Sequence, residues 1–309
     1  MKIIFMGTPN FAVNTLDEIY KAGHDIQLVV TQPDKPFGRG KKIKKSEVKQ
    51  KAEELNLEVF QPEKIRKSDA IAKLEEYDVD LIIVVAYGQI LSKKILDMPK
   101  FGCINVHASL LPKLRGAAPI NWSIINGDKK SGVTTMMMDI GLDTGDMLLK
   151  SECEITENMN AGELNSLLSN AGAKLLIETI NKIIDGSISR IPQNHDEFTY
   201  APMLDKSIAM IDWQESAEKI HNKIRGLNPD QVAWFKYNDN NYKVFASEIV
   251  DTETIEQAGK VIKTDKKGLL VATGKGVIKL LEIQAPGKKK MRAVDYLRGN
   301  KIDDGVLLI

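Results

Sequence analysis

The feature that most constrains the fold is an alternation, along residues 1–189, between short apolar segments and longer segments of helical periodicity. Lys2–Gly7, Ile26–Thr31 and Leu81–Ala86 are rich in β-branched residues, which predicts strands buried on both faces. The strongest helical pattern, with leucine and isoleucine at helical spacing, is Asn160–Asp185. Buried strands separated by helices predict an α/β domain whose Rossmann-like, mostly parallel sheet is covered by helices on both faces.

Weaker signals complete this first domain. Thr8 follows the first strand and is predicted to cap a helix that has Pro9 in its first turn and ends at Gly23. Further strands, which are expected to extend the sheet, are predicted at Glu58–Gln61, Cys103–Val106 and Val133–Met138. Further helices are predicted after Ser46 and at Ser68–Tyr77.

The pattern changes after residue 190, where proline-containing irregular segments give way to one short helix at Ser216–Arg225 and then to short alternating segments separated by turn residues. Several short strands at this spacing predict a small OB-like β-barrel. We therefore predict a first domain at 1–189, a connector at 190–206 and a barrel at 207–309. The predicted barrel strands are Trp234–Tyr237, Lys243–Glu248, Gly259–Thr264, Leu269–Ala272 and Val277–Ile283.

The charge balance excludes a polycationic protein. Lys and Arg total 43 against 42 Asp and Glu, so the net charge is +1 and any contact with nucleic acid must come from local patches. The two cysteines, Cys103 and Cys153, form no C-x-x-C pair, which is typical of a reducing compartment. The N-terminal segment has no signal-peptide pattern, and the longest apolar run, Leu81–Tyr87, is too short to cross a bilayer. We expect a soluble cytoplasmic protein with no membrane contact.

The histidines argue against a metal site. His24, His107, His195 and His221 are the only four, and no two of them have the spacing of a helical metal-binding pair. His24 and His221 are expected on the surface and His195 in a solvated loop. We therefore expect no metal, and only His107 has surroundings that indicate chemistry.

Asn105 and His107 are two residues apart at the end of a predicted strand, so their side chains should lie on one face at the sheet edge where parallel sheets bind ligands. The segment 139–146 follows another predicted strand and supplies three carboxylates and two glycines. An amide and an imidazole can stabilise an oxyanion, and an imidazole and a carboxylate can move protons, which is the chemistry of acyl transfer. The alternative is that these side chains hydrogen-bond within the fold and cap turns.

A run of basic residues near the second strand is a candidate nucleic-acid contact. It contains no carboxylate, and Gly38 and Gly40 prevent a helix there. Such a run is either a solvated surface or a grip for phosphates. Its members are Lys35, Arg39, Lys41, Lys42, Lys44 and Lys45, and a second basic group, set against Asp295, comprises Lys288, Lys289, Lys290, Arg292, Arg298 and Lys301.

Several motifs, taken together, resemble those of the 10-formyltetrahydrofolate-dependent formyltransferases and, within them, the methionyl-tRNA formyltransferase family. The resemblance covers essentially the whole chain. The Asn105–Pro112 and Met138–Asp146 motifs are shared by all these formyltransferases. The basic loop and the second domain narrow the resemblance to the methionyl-tRNA formyltransferase family. The matching segments are Met6–Ala12, Gln32–Lys42, Asn105–Pro112, Arg115–Ile120, Met138–Asp146, Ile224–Pro229, Gln284–Lys289 and Asp295–Gly299.

The resemblance implies transfer of a formyl group from 10-formyltetrahydrofolate to the α-amino group of methionine on initiator methionyl-tRNA, by direct attack through a tetrahedral oxyanion. The sequence departs from the family pattern at Lys35, Phe37 and Leu114, and none of these is a catalytic position. The resemblance implies no metal and no obligate protein partner. The implied catalytic residues are Asn105, His107 and Asp143, the implied folate contacts are Ser109, Leu110, Leu111 and Pro112, and the implied tRNA contacts are Arg39, Lys41 and Lys42.

Two other functions are open at this point. A formyltransferase acting on a sugar nucleotide or another small amine would use the same three catalytic residues, but it would need no basic loop. An RNA-binding module with a non-catalytic first domain would need no folate. Transfer to a small amine without tRNA would favour the first alternative, and failure to bind folate would favour the second.

Overall fold

The computed structural model describes residues 1–37, 42–250, 252–265 and 268–309. These residues form two compact units. The first comprises Met1–Ala117, Ser131–Cys153 and Asn165–Ala201, and the second comprises Ala118–Lys130, Glu154–Leu164 and Pro202–Ile309. The domain limits that we place at residues 189 and 207 stay predictions. In the described part of the chain, no helix is both long and apolar enough to span a membrane.

The elements are numbered in chain order. The helices are α1 Val13–Lys21, α2 Glu47–Glu54, α3 Ser68–Glu75, α4 Lys93–Leu96, α5 Pro119–Ile125, α6 Ala161–Ile184, α7 Ala217–Leu227 and α8 Ala293–Leu297. The strands are β1 Lys2–Gly7, β2 Asp25–Val30, β3 Lys35–Phe37, β4 Lys42–Lys44, β5 Val59–Phe60, β6 Leu81–Val85, β7 Cys103–His107, β8 Arg115–Gly116, β9 Lys130–Met137, β10 Met147–Glu154, β11 Tyr200–Ala201, β12 Trp234–Tyr237, β13 Asn240–Val250, β14 Val261–Asp265, β15 Gly268–Ala272, β16 Val277–Gln284 and β17 Met291–Arg292.

The first unit is built on a seven-stranded sheet of order β10-β9-β7-β6-β1-β2-β5. Strands β5, β2, β1, β6 and β7 run parallel, which confirms the predicted Rossmann-like sheet. Strand β9 pairs with β7 in the antiparallel direction. Antiparallel neighbours, unlike parallel ones, need no helical crossover between their strands.

The turn after β1 differs from the prediction. The Thr8 hydroxyl donates to the carbonyl of Tyr87 at 2.9 Å and does not cap a helix. A short 3-10 turn at Asn10–Ala12 precedes α1 instead. Gly23 follows the end of α1 with a positive φ of 75°, as a helix-ending glycine should.

The long helix α6 begins with a capping box. The Asn160 side-chain oxygen accepts from the Glu163 amide at 3.0 Å, and the Glu163 carboxylate accepts from the Asn160 amide at 2.9 Å. Further along the helix, a Cβ at Gly172 would lie 2.9 Å from Val106, so this glycine allows α6 to approach β7 closely. The predicted helix at Asn160–Asp185 is confirmed.

The second unit contains an antiparallel sheet of order β12-β13-β16-β15-β14, with β17 paired to β16. The two end strands are joined through the C-terminal segment 306–309. Ile309 and Lys236 of β12 exchange backbone hydrogen bonds, and Val306 accepts from the Val261 amide of β14 at 2.8 Å. The segment thereby closes the sheet into the predicted small barrel. Phe235 is fully buried in its core, and Trp234 packs against that core.

Two histidines that we expected on the surface are not there. His24 is half-buried, and His221 in α7 is only 5% exposed. His221 Nε2 donates to the carbonyl of Glu157 at 3.2 Å, and Nδ1 lies 3.0 Å from the Ser247 hydroxyl. Because burial disfavours the charged imidazolium, the pKa of His221 is lowered below its usual value of 6.5. The charged neighbours of this helix suggested a surface position, but its inward face is set by packing.

This burial predicts a pH-dependent stability. As pH falls, the unfolded chain takes up a proton on His221 before the folded protein does, so the free energy of unfolding falls from about pH 7 downward through the usual histidine pKa. His24, whose pKa is also lowered by burial, acts in the same direction. The His221→Gln variant should therefore show a flatter dependence between pH 7.5 and pH 5.5, measured by urea unfolding. An unchanged slope would contradict the prediction.

Candidate active site

Strand β7 places Asn105 and His107 on one face at the carboxyl end of the parallel sheet, next to Asp143 in the turn that follows β9. The Asn105 amide nitrogen lies 3.4 Å from one carboxylate oxygen of Asp143, and His107 Nδ1 lies 3.7 Å from the other. The His107 side chain is 6% exposed and that of Asp143 is 14% exposed. The structure therefore brings the three predicted catalytic side chains together at a point that solvent still reaches.

The imidazole ring of His107 has a defined orientation. Its Nε2 atom lies 3.0 Å from the carbonyl oxygen of Leu114. A carbonyl only accepts hydrogen bonds, so Nε2 must carry the proton and donate it. This contact leaves Nδ1 as the ring atom that faces Asp143 and any bound substrate.

Asp143 is held in place by its own turn and by the Gly116 amide. It adopts a positive φ of 53°, and its second carboxylate oxygen accepts from the Gly116 amide at 2.8 Å. At the start of the turn, Asp139 accepts from the Gly141 amide at 2.9 Å and from the Thr144 hydroxyl at 2.6 Å. The carboxylates of this loop thus divide their tasks, since Asp139 shapes the turn while Asp143 faces β7.

The glycines of this loop serve the turn itself. A Cβ on Gly145 would overlap the carbonyl oxygen of Met137. Next to it, the Met137 amide donates to the Asp146 carbonyl at 2.8 Å. The absence of a side chain at Gly145 therefore allows a close backbone-to-backbone contact that sets the direction of the Asp143 turn.

The predicted folate segment lies directly beyond β7. Ser109 is 1% exposed, and its hydroxyl donates to the Lys113 carbonyl at 2.6 Å; Leu111 is fully buried. Thr134 of β9 donates to the Ser109 carbonyl at 2.7 Å and thereby fixes the segment. Leu110 and Pro112 are half-buried. Contact with a ligand along this segment would therefore come from these two side chains and from backbone groups.

The strands β3 and β4 form a basic hairpin, and the predicted tRNA-binding residues lie within or between these two strands in the sequence. Strands β3 and β4 pair in the antiparallel direction, with Lys35 opposite Lys44. Lys44 and Lys45, at the base of the hairpin, form ion pairs with Glu47 and Glu53 of α2 at 2.6 and 2.7 Å. Arg39 and Lys41 lie outside the described residues; for Lys42 only the position in β4 is described.

The second basic group is less unbalanced than its sequence indicated. Within residues 288–301 the sequence has one carboxylate, Asp295, and it pairs with Arg292 at 2.7 Å. Two carboxylates just outside this range also pair with the group: Glu282 lies 2.6 Å from Lys290, and Asp303 pairs with Lys301. Lys288 and Lys289 are exposed.

Sequence reasoning missed a set of residues around Asp143. Arg115, in the short strand β8, is 5% exposed and donates to the Gln193 side-chain oxygen. Thr199 accepts from the Leu114 amide at 2.8 Å through its hydroxyl. Gln193 and Thr199 lie in the predicted connector and gave no local signal, because their partners are distant in sequence.

The described residues contain no group of three or more His, Cys, Asp or Glu side chains able to hold a metal ion. The candidate site itself consists of an amide, an imidazole and a carboxylate. These three groups can stabilise negative charge on an oxygen bound to a reacting carbon, and they can move a proton between other atoms bound to that carbon.

Comparisons with known proteins agree with this chemistry. Residues 1–180 match the family model described as formyl transferase, and residues 203–301 match that of the formyl transferase C-terminal domain. The chain is 52% identical over 304 residues to a methionyl-tRNA formyltransferase of Clostridium novyi (98% of each chain) and 51% identical over 308 residues to one of Clostridioides difficile (100% of each). A solved N-formyltransferase from Helicobacter canadensis, in complex with folinic acid and dTDP-3-aminofucose, has the same fold, with a TM-score of 0.69 at 22% identity over 92% of this chain and 99% of that one.

Proposed function

The chain belongs to the formyl transferase family, and from this premise we propose that it transfers the formyl group of 10-formyltetrahydrofolate to the α-amino group of methionine on initiator methionyl-tRNA. The observation that carries the proposal is the convergence of Asn105, His107 and Asp143 at the carboxyl end of the sheet. The name of the full-length relatives supports the tRNA substrate, and the folinic acid bound to the structural neighbour supports a folate donor.

The first task of the site is positioning. A neutral α-amine is already a nucleophile, so no activated serine or cysteine is needed. The protein has to hold the formyl carbon against the amine, which by itself can remove a large part of the barrier. The segment Ser109–Pro112, fixed by Thr134, is where we propose the folate lies.

The second task is to stabilise the tetrahedral intermediate. As the amine nitrogen attacks, the formyl oxygen becomes an oxyanion. In our proposal the Asn105 amide N–H and the Nδ1–H of protonated His107 donate to this oxygen, while Nε2 stays bonded to the Leu114 carbonyl. The Asp143 carboxylate, 3.7 Å from Nδ1, stabilises the imidazolium.

The third task is a proton transfer. The attacking nitrogen must lose a proton, and N10 of the folate must gain one as the bond from N10 to the formyl carbon breaks. We propose that the imidazolium of His107 gives its Nδ1 proton to N10 as this bond breaks, while the Asp143 carboxylate takes the proton of the attacking nitrogen and returns it to Nδ1, since both groups face the same point. The products are formylmethionyl-tRNA and tetrahydrofolate, and the transfer changes no oxidation state.

The proposal is tested by offering a labelled formyl donor to three acceptors in parallel: charged initiator tRNA, charged elongator tRNA and free methionine. We expect rapid transfer to the initiator tRNA alone. Transfer to a small amine in the absence of tRNA would contradict the RNA substrate, and failure to bind the folate would contradict formyl transfer itself. A cytoplasmic location, where charged tRNA is found, is part of the same proposal.

The basic hairpin gives a separate prediction about the RNA. Changing Arg39, Lys41 and Lys42 together to glutamine should raise the KM for tRNA. It should also reduce the salt dependence by about 0.7–0.9 in log–log slope for each phosphate that the protein no longer neutralises. The measurement is the KM for tRNA across a salt series, with the folate KM followed as well.

A matched control removes the same number of positive charges at the opposite ends of the strands. Lys2 begins β1, Lys21 ends α1 and Lys100 precedes β7, so all three lie at the amino end of the strands. Changing them to glutamine should leave the salt slope unaltered. Equal slopes for the two triple variants would remove the hairpin from the RNA-binding surface.

A further inference from the structure

The side chain of Gln193 reaches the backbone of the Asp143 turn from a distant segment. We propose that Gln193, oriented by the buried guanidinium of Arg115, is a positioning residue that sets the place of the Asp143 carboxylate. The inference rests on the proposed function, because it takes Asp143 as a catalytic residue. It adds two residues, Gln193 and Arg115, that are not catalytic themselves but determine the geometry of the three catalytic side chains.

Gln193 binds both ends of the turn. Its side-chain nitrogen donates to the carbonyl oxygen of Asp143 at 2.8 Å and to that of Gly145 at 2.8 Å. The residue is 6% exposed, so these bonds are shielded from water. An amide NH₂ has two donors, and both are used on the same short turn.

Arg115 determines which way the amide points. Its Nε and one terminal nitrogen lie 3.0 and 2.7 Å from the Gln193 side-chain oxygen. A guanidinium only donates and the two turn carbonyls only accept, so a single orientation of the amide satisfies all four contacts. Charge on the donor also strengthens these bonds and polarises the amide toward the turn.

Arg115 itself is an unusual buried cation. Within the described residues no carboxylate lies at ion-pair distance from it; its third nitrogen lies 3.5 Å from His195, and Phe198 stacks at 5.1 Å from the guanidinium carbon. Burying an arginine costs free energy unless its donors are satisfied. Here the Gln193 oxygen is its principal acceptor, which couples the cation to the turn through one side chain.

The turn needs such support. Asp143 has a positive φ of 53°, a conformation that is strained for an L-residue. The same residue must keep its carboxylate on the Gly116 amide at 2.8 Å. Without the Gln193 bonds, the turn can relax toward negative φ, which would swing the carboxylate away from His107.

The segment that carries Gln193 also supports His107. Strand β11 pairs with β8, and the Thr199 hydroxyl accepts from the Leu114 amide. The carbonyl of that same Leu114 accepts from His107 Nε2. One segment, 193–201, thus ties down the partners of two catalytic side chains.

The test begins with two variants. Gln193→Leu removes all the bonds, whereas Gln193→Glu keeps an acceptor for Arg115 and loses both donors to the turn. For both we expect kcat to fall roughly 10- to 100-fold, as for a displacement of about 1 Å at the reacting groups, with little change in the KM for folate or tRNA. The control is Gln231→Leu, since Gln231 also donates from its side chain to a backbone carbonyl, that of Leu204, within the second unit. It should keep the parent kcat.

A second measurement reports the position of Asp143 without activity. The Gly116 amide donates to the Asp143 carboxylate, so its hydrogen–deuterium exchange should be faster in both Gln193 variants than in the parent. A double-mutant cycle adds the energetic coupling: once Asp143→Asn has removed the carboxylate, Gln193→Leu should cost little further kcat.

The outcomes separate the two claims. A kcat of the Gln193 variants within about threefold of the parent, when Asp143→Asn is itself impaired, would overturn the role of Gln193. Unchanged exchange at Gly116 or fully additive losses in the cycle would overturn it as well. If Asp143→Asn stays fully active while the Gln193 variants expose Gly116, the positioning by Gln193 stands and the catalytic role of Asp143 fails. Loss of kcat with faster exchange and a non-additive cycle supports both.

Discussion

Replacing His107 by alanine is expected to lower kcat on the order of 10³-fold, while the KM for the formyl donor changes far less. Removing one oxyanion donor typically raises the barrier by about 3–4 kcal/mol, and the imidazole also carries a proton in our proposal. Folate binding should persist because the Ser109–Pro112 segment is fixed by Thr134, which the substitution leaves in place. Steady-state kinetics with charged initiator tRNA, together with folate binding by titration, measure the two effects separately.

Two further variants make this result specific. Alanine leaves the Leu114 carbonyl without its donor, so His107→Gln, whose amide can donate to that carbonyl, distinguishes catalysis from local packing. Asp143→Ala should show the same pattern as His107→Ala. His24→Gln, at the amino end of β2, is the matched control and should keep full activity. Near-normal turnover of either His107 variant would refute the proposed role of the imidazole.

Gly145→Ala is expected to lower both stability and activity. The new Cβ would overlap the carbonyl oxygen of Met137, a backbone atom that cannot rotate away, and overpacking of this kind costs about 3 kcal/mol. The displaced turn carries Asp143, so kcat should also fall, on the order of 100-fold for a shift of about 1 Å. Urea unfolding and steady-state kinetics measure the two losses.

The matched control is another glycine-to-alanine change. A Cβ on Gly299 would meet no atom within 4 Å, and its φ is not positive, so Gly299→Ala should leave both quantities unchanged. If Gly145→Ala retained parent stability and kcat, the backbone contact at Met137 would not be what sets the turn.

Local sequence was sufficient for most of the secondary structure. The strand at Lys2–Gly7 has the predicted bounds, and the predicted helix at Asn160–Asp185 is shortened by one residue at each end. These predictions succeed because buried strands and amphipathic helices follow from the residues of one short segment. The Thr8 cap was wrong, because a carbonyl from Tyr87, which is remote in sequence, competes for the hydroxyl.

The candidate site divides in the same way. A period of two along one strand was enough to place Asn105 and His107 on a common face, and the family resemblance supplied Asp143. Nothing local could indicate that Gln193 would bind the Asp143 turn, since 50 residues separate the two partners. The burial of His221 was equally hidden, because its neighbours in sequence are charged.

Periodicity along the chain, then, accounts for the strands, the helices and the shared face of Asn105 and His107, since each of these depends on neighbours a few residues away. The antiparallel direction of β9, the closure of the barrel by the segment 306–309 and the hold of Arg115 and Gln193 on Asp143 arise through contacts between distant segments. Such contacts exist only after the chain has packed, because a hydrogen bond or a buried charge is specified by distance in space and not by order along the backbone.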